Sequence, residues 1–296
     1  MSSTATPVPA ATRPVYWTIR RELWENRSIY IAPAVVGLLE VVSLLIHGVR
    51  YPDQIQAVGD LDGAELQFAL GAGYGALALP ILATALIVSA FYSLDSLYSE
   101  RRDRSILFWK SLPVSDTTTV LAKALVPVAV IPVITLAIIC ATQIAVLLGG
   151  TLILGLTGQS AALLWTGVPL VAVPVTLAYG MASMALWYAP LYGWLFLVSA
   201  FAKRKTILWA LLPPLAVCLA ESFAFHTRYF AQLLKDRFLG FLQVSFAVDD
   251  PHHFQFDLQH LTPANLAGAS GLWAGLAVAA LFFAAAIQLR RYRGPV

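Results

Sequence analysis

Charged residues are scarce in this chain of 296 residues. Asp, Glu, Lys and Arg together make up 12% of the sequence, whereas apolar residues make up 59%. A typical soluble domain is about 25% charged and about 45–50% apolar. The low charge therefore excludes an ordinary soluble domain and predicts an all-α integral membrane protein.

Cysteine and the common catalytic motifs are also lacking. The two cysteines, Cys140 and Cys218, both lie in apolar runs, which predicts buried thiols and excludes a disulfide framework. No Gly-Lys pair occurs, so the chain has no phosphate-binding loop for ATP. The HExxH and GxSxG motifs are missing as well. We therefore expect neither enzymatic activity nor a cofactor bound by this chain.

Long apolar runs, by contrast, are abundant. About 20 mostly apolar residues are needed for a helix to cross the hydrocarbon core. Such runs predict a single membrane domain over 1–296 with six spans, at about 29–49, 68–94, 120–149, 165–202, 207–225 and 269–289. The fourth run is unusually long and contains Pro169, Pro174 and Pro190, so it is either one kinked span or a span with an interfacial helix. Residues 1–12 are small, polar and Pro-rich, which predicts a disordered tail.

The positive charges are distributed unevenly across these spans. If the N-terminus is cytoplasmic, only Arg50, Arg228, Lys235 and Arg237 of the 19 Lys and Arg residues fall on the outer side. Positively charged loops stay preferentially in the cytoplasm. The sequence therefore predicts a multi-pass protein with both termini cytoplasmic.

Residues 13–28 show the spacing of an amphipathic helix before the first span. Arg20, Arg21 and Glu25 fall on one side of this segment. Its apolar and aromatic members are Tyr16, Trp17, Ile19, Leu23 and Trp24. The pattern predicts a helix lying in the membrane interface, in contact with lipids. The alternative is a simple flank that makes no turn into the first span.

The predicted outer segment 226–265 is long and partly amphipathic, which favours a short helix or a helical hairpin. It contains the residue types of a weak metal-site candidate: His252, His253, Asp257 and His260. Their spacing matches no closed metal site, so we expect a solvated turn and no metal.

One charged segment, SERRDRSILFWKSLPVSD at 99–116, lies between the second and third predicted spans. Its arginines mark a cytoplasmic loop that extends over 95–119. Between them, 105–112 has the composition of a short helix. Because an apolar Phe-Trp pair is unusual among charges, this helix needs a partner surface or the lipid interface to cover it.

This segment, the six-span plan and the flanking helix together resemble the permeases of ATP-binding-cassette (ABC) exporters of type 2. The matching residues are Glu100-Arg101, the apolar run Ile106 to Trp109, Leu112-Pro113-Val114-Ser115, and Lys123 near the start of the third span. The resemblance extends over nearly the whole chain. Arg104 departs from the pattern of this family, because many members have glycine near this position.

The resemblance implies a permease subunit, without its own ATPase domain, in the inner membrane of a bacterium. It also implies a second permease copy or paralogue, as homodimer or heterodimer, and two copies of a separate ATPase that bind ATP and Mg²⁺. The short helix of the 95–119 loop would be the coupling helix on which the ATPase docks. The implied contact residues are Glu100, Arg101, Arg104, Ile106, Phe108, Trp109, Leu112 and Pro113. No nucleic-acid partner is expected.

Three polar residues lie within the apolar runs. Glu40 is expected either on a translocation path or in a hydrogen-bonded packing contact. Gln143 is expected to form an inter-helix hydrogen bond, and Glu221 to pair with Arg228 or His226.

The small number of charged residues in the middle of the spans favours a lipid-like, peptide or drug-like amphiphile as substrate. The alternatives are a membrane scaffold or sensor that binds another cytoplasmic partner, and a secondary transporter.

Overall fold

The computed structural model describes residues 14–50, 63–111, 114–156, 158, 161–246 and 258–293. These residues form helices joined by short turns and contain no strand. The 1–12 tail, Leu112, Pro113 and most of the His-rich stretch lie outside the described residues.

The helices are numbered in chain order. The first half of the chain forms α1 (Pro14–Glu25), α2 (Ser28–Arg50), α3 (Gly63–Ala76), α4 (Ala78–Asp95), α5 (Tyr98–Arg102), α6 (Ile106–Ser111), α7 (Asp116–Leu125), a π-helical turn (Val126–Val130) and α8 (Ile131–Leu156). The second half forms α9 (Ala162–Gly167), α10 (Ala172–Trp187), α11 (Ala189–Phe201), α12 (Thr206–Ala224), α13 (Tyr229–Phe246), a 3₁₀ turn (Leu258–His260), α14 (Pro263–Gly268) and α15 (Ser270–Tyr292).

Five helical segments of the described chain are long and apolar enough to cross a membrane: Ser28–Gly48, Leu70–Arg102, Asp116–Leu156, Thr206–Ala224 and Ser270–Tyr292. The pair α10 and α11 adds a sixth if it counts as one broken span. The predicted all-α membrane class is thus confirmed. Length and composition alone give five or six crossings.

The long fourth apolar run is divided at Tyr188, where α10 and α11 meet at an angle of 52°. Pro190 occupies the first turn of α11, where its missing N–H costs no hydrogen bond and its ring prevents continuation from the preceding helix. The predicted kink therefore has its physical cause in Pro190. Each half, at 16 and 13 residues, is short of a full span by itself.

Two glycines permit close contacts between helices. A Cβ on Gly193 of α11 would lie 3.2 Å from the carbonyl oxygen of Ala279, so α11 and α15 pack at backbone distance. A Cβ on Gly37 of α2 would overlap the hydroxyl of Thr142 on α8. These contacts bring the spans into one bundle.

The largest apolar core lies toward one end of this bundle. It is formed by Ile29, Ala85, Tyr92, Leu97, Val120, Ala124, Val126, Ile131, Phe196, Ala200 and Ala286. Ile19 and Leu23 of α1 pack against it from outside. Helix α1 is thereby fixed to the ends of the membrane-crossing segments.

Candidate functional site

Four charged side chains are buried together at the same end of the bundle. Their exposed fractions are 2% for Glu22, 5% for Glu100, 2% for Lys123 and 4% for Arg290. They come from α1, α5, α7 and α15, which are far apart in sequence. Charged residues are almost never fully buried unless they are paired, so the burial of these four side chains indicates that they pair. We call these four residues the buried ion cluster, and the end that carries them the charged end.

Lys123 is the centre of the cluster. Its Nζ lies 2.9 Å from Oε1 of Glu22 and 3.1 Å from Oε1 of Glu100. It also donates to the carbonyl oxygen of Ser96 at 2.7 Å. The three contacts match the three donors of an ammonium group. Lys123 therefore ties α7 both to α1 and to the end of the segment that contains α4 and α5.

Arg290 connects the last helix to the same cluster. Its Nη1 donates to Oε2 of Glu100, and its Nε donates to Oδ1 of Asp116 at 3.1 Å. Asp116 is the first residue of α7, and Ser115 caps that helix by accepting from the N–H of Thr118 at 3.1 Å. The end of α15 is thus bound to the start of α7.

The carboxylate of Glu22 has further partners besides Lys123, and Nδ2 of Asn26 donates to its Oε2 at 3.5 Å. The hydroxyl of Tyr92 donates to its Oε2 at 3.0 Å, and Nη2 of Arg21 donates to its Oε1 at 2.8 Å. Burial opposes the charge on Arg21, but Glu22, Glu25 and Glu100 outweigh it and hold the pKa of this guanidinium above its ordinary value. Arg21 therefore remains a cation in the folded chain.

Helix α6 is held against this assembly by one of its faces. The guanidinium carbon of Arg21 lies 3.8 Å from the ring centroid of Trp109, a close cation–π contact. Ile106 is only 1% exposed. Nζ of Lys110 donates to the carbonyl oxygen of Arg291 at 3.2 Å. The short helix is therefore fixed to α1 and to the end of α15.

The opposite face of α6 has no cover within the described chain. Leu107 and Phe108 are both 60% exposed. The ring of Phe108 forms an edge-to-face pair with Trp109, at 5.0 Å between centroids. We call Leu107 and Phe108 the exposed face of α6.

The expected contact set is thus divided between two faces. Glu100 belongs to the buried ion cluster, and Ile106 is buried beneath α6. Arg101 is 3% exposed and its Nη2 donates to the carbonyl oxygens of Ser199 at 2.9 Å and Ala202 at 2.6 Å. These three residues therefore have their partners inside the described chain, and their part in a contact with another subunit stays a prediction.

Arg104 is exposed and adopts φ = 58°, in the left-handed region. Glycine takes this conformation without steric cost. Arginine at this position therefore holds the turn in a strained backbone conformation. Leu112 and Pro113 lie outside the described residues.

Helix α1 differs from the simple two-sided pattern read from the sequence. Ile19 and Leu23 face the core, as an amphipathic helix requires. Glu22 points inward with them, whereas Tyr16, Trp17 and Trp24 are 54%, 58% and 65% exposed. Sequence analysis missed Glu22 and Arg290. Their signal was an acid directly after two arginines in an amphipathic helix, and an arginine in the last turn of a span.

The polar residues within the spans have separate structural roles. Nε2 of Gln143 donates to the carbonyl oxygen of Tyr74 at 3.1 Å, the predicted inter-helix hydrogen bond. One carboxylate oxygen of Glu40 is buried without a hydrogen-bond partner in the described chain. These two residues do not belong to the ion cluster.

Glu221 does not pair with Arg228 or His226 as predicted. Its carboxylate instead accepts from the backbone N–H groups of Tyr229 at 2.7 Å and Phe230 at 2.8 Å, and from the hydroxyl of Thr227 at 2.9 Å. These N–H groups open α13 and have no partner within that helix. Glu221 is therefore a capping residue that joins α12 to α13.

A cavity of about 490 Å³ lies among α3, α8, α9 and α10. Its walls are mostly apolar, and Gln143 and Trp165 contribute polar groups. It is lined by Tyr74, Cys140, Gln143, Ile144, Leu147, Trp165, Val168, Pro169, Leu170, Val173 and Pro174.

The described residues contain no group of three or more potential metal ligands. Of the four weak candidates, only His260 is described, in the exposed 3₁₀ turn.

Comparison with known proteins identified neither the fold nor the candidate site. The chain matches no family model, no curated protein and no solved structure. The functional argument therefore rests on the residues themselves.

Proposed function

We propose that this chain is the membrane subunit of an ATP-driven exporter, moved by a separate ATPase that docks on α6. The observation that carries the proposal is the division of α6 into a fixed face and an uncovered apolar face. Ile106 is 1% exposed, whereas Leu107 and Phe108 are 60% exposed. Exposed apolar groups in a basic loop are typical of a docking surface.

The buried ion cluster supports a mechanical role for α6. A push on α6 reaches α1 through the contact between Trp109 and Arg21. From α1 it passes through Glu22 to Lys123 and Glu100, and from Glu100 to Arg290. Buried ion pairs resist separation because breaking one leaves an uncompensated charge. The charged end would therefore move as a unit and carry four helices with it.

Chain parity supports six crossings with both termini cytoplasmic. The start of α2 and the end of α15 both lie at the charged end, since α1 and Arg290 share the ion cluster. The end of α11 lies there too, because Arg101 and Arg293 bond the backbone of 199–202. The chain between the far end of α8 and this point must then cross once. In this arrangement α10 and α11 form one broken span, and the basic residues at the charged end support its cytoplasmic location.

A lipid-like, peptide or drug-like amphiphile is the substrate class that we propose. The cavity among α3, α8, α9 and α10 supports it, because its wall is apolar apart from a few polar groups. A second copy of the chain, or a paralogue, would complete the translocation path. ATP and Mg²⁺ would bind to the ATPase.

The docking surface can be tested by replacing Leu107 and Phe108 together with alanine. The tagged full chain is purified in mild detergent with its associated ATPase, and the ratio of the two subunits is measured. The matched control replaces Ile207 and Leu208, which are each 45% exposed near the charged end, at the start of α12. We expect the ATPase to be lost from the first variant and retained by the control.

Retention of the ATPase by the α6 variant at the wild-type ratio would contradict docking on α6. Equal loss from both variants would contradict it as well, because a general effect of surface alanines would then explain the result. Thermal unfolding of each purified variant confirms that the chain is folded.

A further inference from the structure

An arginine lies between two tryptophans on the outward face of α1. The Cζ atom of Arg20 is 4.7 Å from the ring centroid of Trp24 and 5.4 Å from that of Trp17. Their spacing of three and four residues places all three side chains on one side of the helix. The two rings are 65% and 58% exposed, and Arg20 is exposed as well.

No carboxylate of the described chain neutralises Arg20. The two acids of α1, Glu22 and Glu25, both pair with Arg21 instead. Stacking on an indole ring uses none of the five N–H donors of a guanidinium. Arg20 therefore presents a positive charge and free donors between two amphipathic rings.

The position of α1 fixes the depth of this face. On the opposite side of the helix, Glu22 bonds to Tyr92 and Lys123, which lie in segments long enough to cross a membrane. The apolar span of α2 begins at Ser28, so Arg20 is within about 12 Å of it along the chain. The polar headgroup layer lies directly outside the hydrocarbon core. We therefore expect Arg20 to lie at headgroup depth.

We propose that Trp17, Arg20 and Trp24 form a binding site for the phosphate of a phospholipid headgroup. The N–H donors of an arginine match phosphate oxygens in geometry and charge. Indole rings settle at the interface between membrane and water, where they cover the glycerol and the upper acyl chain. Exposed Arg27, about two turns further along, adds positive charge and favours an anionic lipid. The site requires only a membrane location and does not depend on the proposed exporter function.

The test is a titration of the purified full chain with lipids, followed by native mass spectrometry. The probes are phosphatidylglycerol, diacylglycerol with the same acyl chains, and inorganic phosphate. We expect Arg20→Gln to weaken binding of phosphatidylglycerol about tenfold. The matched control is Arg204→Gln, which removes the same charge from an exposed turn between α11 and α12. It should bind phosphatidylglycerol as the wild type does.

A second variant, Trp24→Leu, tests the role of the rings while keeping the charge. We expect it to weaken phosphatidylglycerol binding by several-fold. Arg20 contacts only rings of its own helix, and Trp24 is 65% exposed. Both variants should therefore unfold at the wild-type temperature.

Three results would overturn the proposal. The first is equal affinity of the wild type and Arg20→Gln for phosphatidylglycerol. The second is an equal loss in Arg204→Gln, which would indicate general charge attraction. The third is a result with either of the other two probes. Equal binding of diacylglycerol would show that the site does not recognise the phosphate. Displacement of the lipid by inorganic phosphate at similar concentration would show that the site does not recognise the lipid.

Discussion

At the scale of single residues, the least expected feature is the lysine at the centre of the buried ion cluster. Lys123 is 2% exposed and contacts both Glu22 and Glu100. Removing one member of a buried ion group is costly because the remaining charges lose their partner. Loss of Lys123 also leaves an excess of negative charge, because Arg21 and Arg290 then face three carboxylates, those of Glu22, Glu100 and Asp116.

Replacing Lys123 with methionine should therefore destabilise the protein by about 3 kcal/mol. The measurement is thermal unfolding of the purified chain in detergent. Lys110→Met is the matched control, because Lys110 is exposed and bonds only one carbonyl oxygen in the described chain. Adding Glu22→Gln to Lys123→Met should restore part of the loss. A Lys123→Met protein as stable as the wild type would refute the role of the cluster.

Arg104 offers a second prediction at this scale. Its left-handed backbone, at φ = 58°, disfavours a side chain with a Cβ by about 1 kcal/mol. Arg104→Gly should therefore keep or slightly raise the unfolding temperature. Arg104→Val should lower it, because β-branched residues avoid this conformation most strongly. The same unfolding temperature for both variants would show that the turn does not impose the conformation.

At the scale of elements, α6 is a short helix that depends on its contacts for stability. Six residues form less than two turns, which is too short for a stable isolated helix. Trp109 supplies the main aromatic anchor through Arg21, and Phe108 faces away. The two neighbouring aromatics should therefore respond differently to truncation.

Trp109→Ala should speed amide hydrogen exchange across 106–111 by roughly tenfold while the membrane helices keep their protection. Phe108→Ala should leave exchange in this segment close to that of the wild type, and so serves as the control. If both variants exchanged alike, the anchored and exposed faces would not differ as the contacts indicate.

The sequence identified these elements more reliably than it identified their contacts. Apolar runs predicted the long helices because about 20 apolar residues suffice to mark a span. The cluster could not be predicted in the same way, since its partners are distant: Arg290 and Glu100 are 190 positions apart, and Tyr92 and Glu22 are 70 apart. Charged residues at the ends of the spans were interpreted as markers of the cytoplasmic side. Glu100 and Arg101 are buried because of packing between helices, which the sequence alone does not reveal. The prolines of the fourth apolar run indicated a kink there, but its 52° angle at Tyr188 could not be read from the sequence.

At the scale of the whole molecule, chain parity makes a prediction that cysteine labelling can check. After replacement of Cys140 and Cys218 by serine, one cysteine is introduced at Arg204 or at Thr227. Both positions lie in turns, at opposite ends of α12. In intact cells, a membrane-impermeant maleimide should label Thr227→Cys and not Arg204→Cys. The reverse pattern would invert the proposed orientation, and labelling of both would contradict α12 as a span.

The central claim is that this membrane chain is driven by a separate ATPase that binds at the charged end. The most direct measurement is affinity purification of the tagged full chain from its native membrane in mild detergent, with quantification of whatever accompanies it. We expect a phosphate-binding-loop ATPase in a one-to-one ratio with the chain, and ATP hydrolysis by the purified complex. A folded chain that is recovered alone in several detergents, without ATP hydrolysis, would contradict the claim.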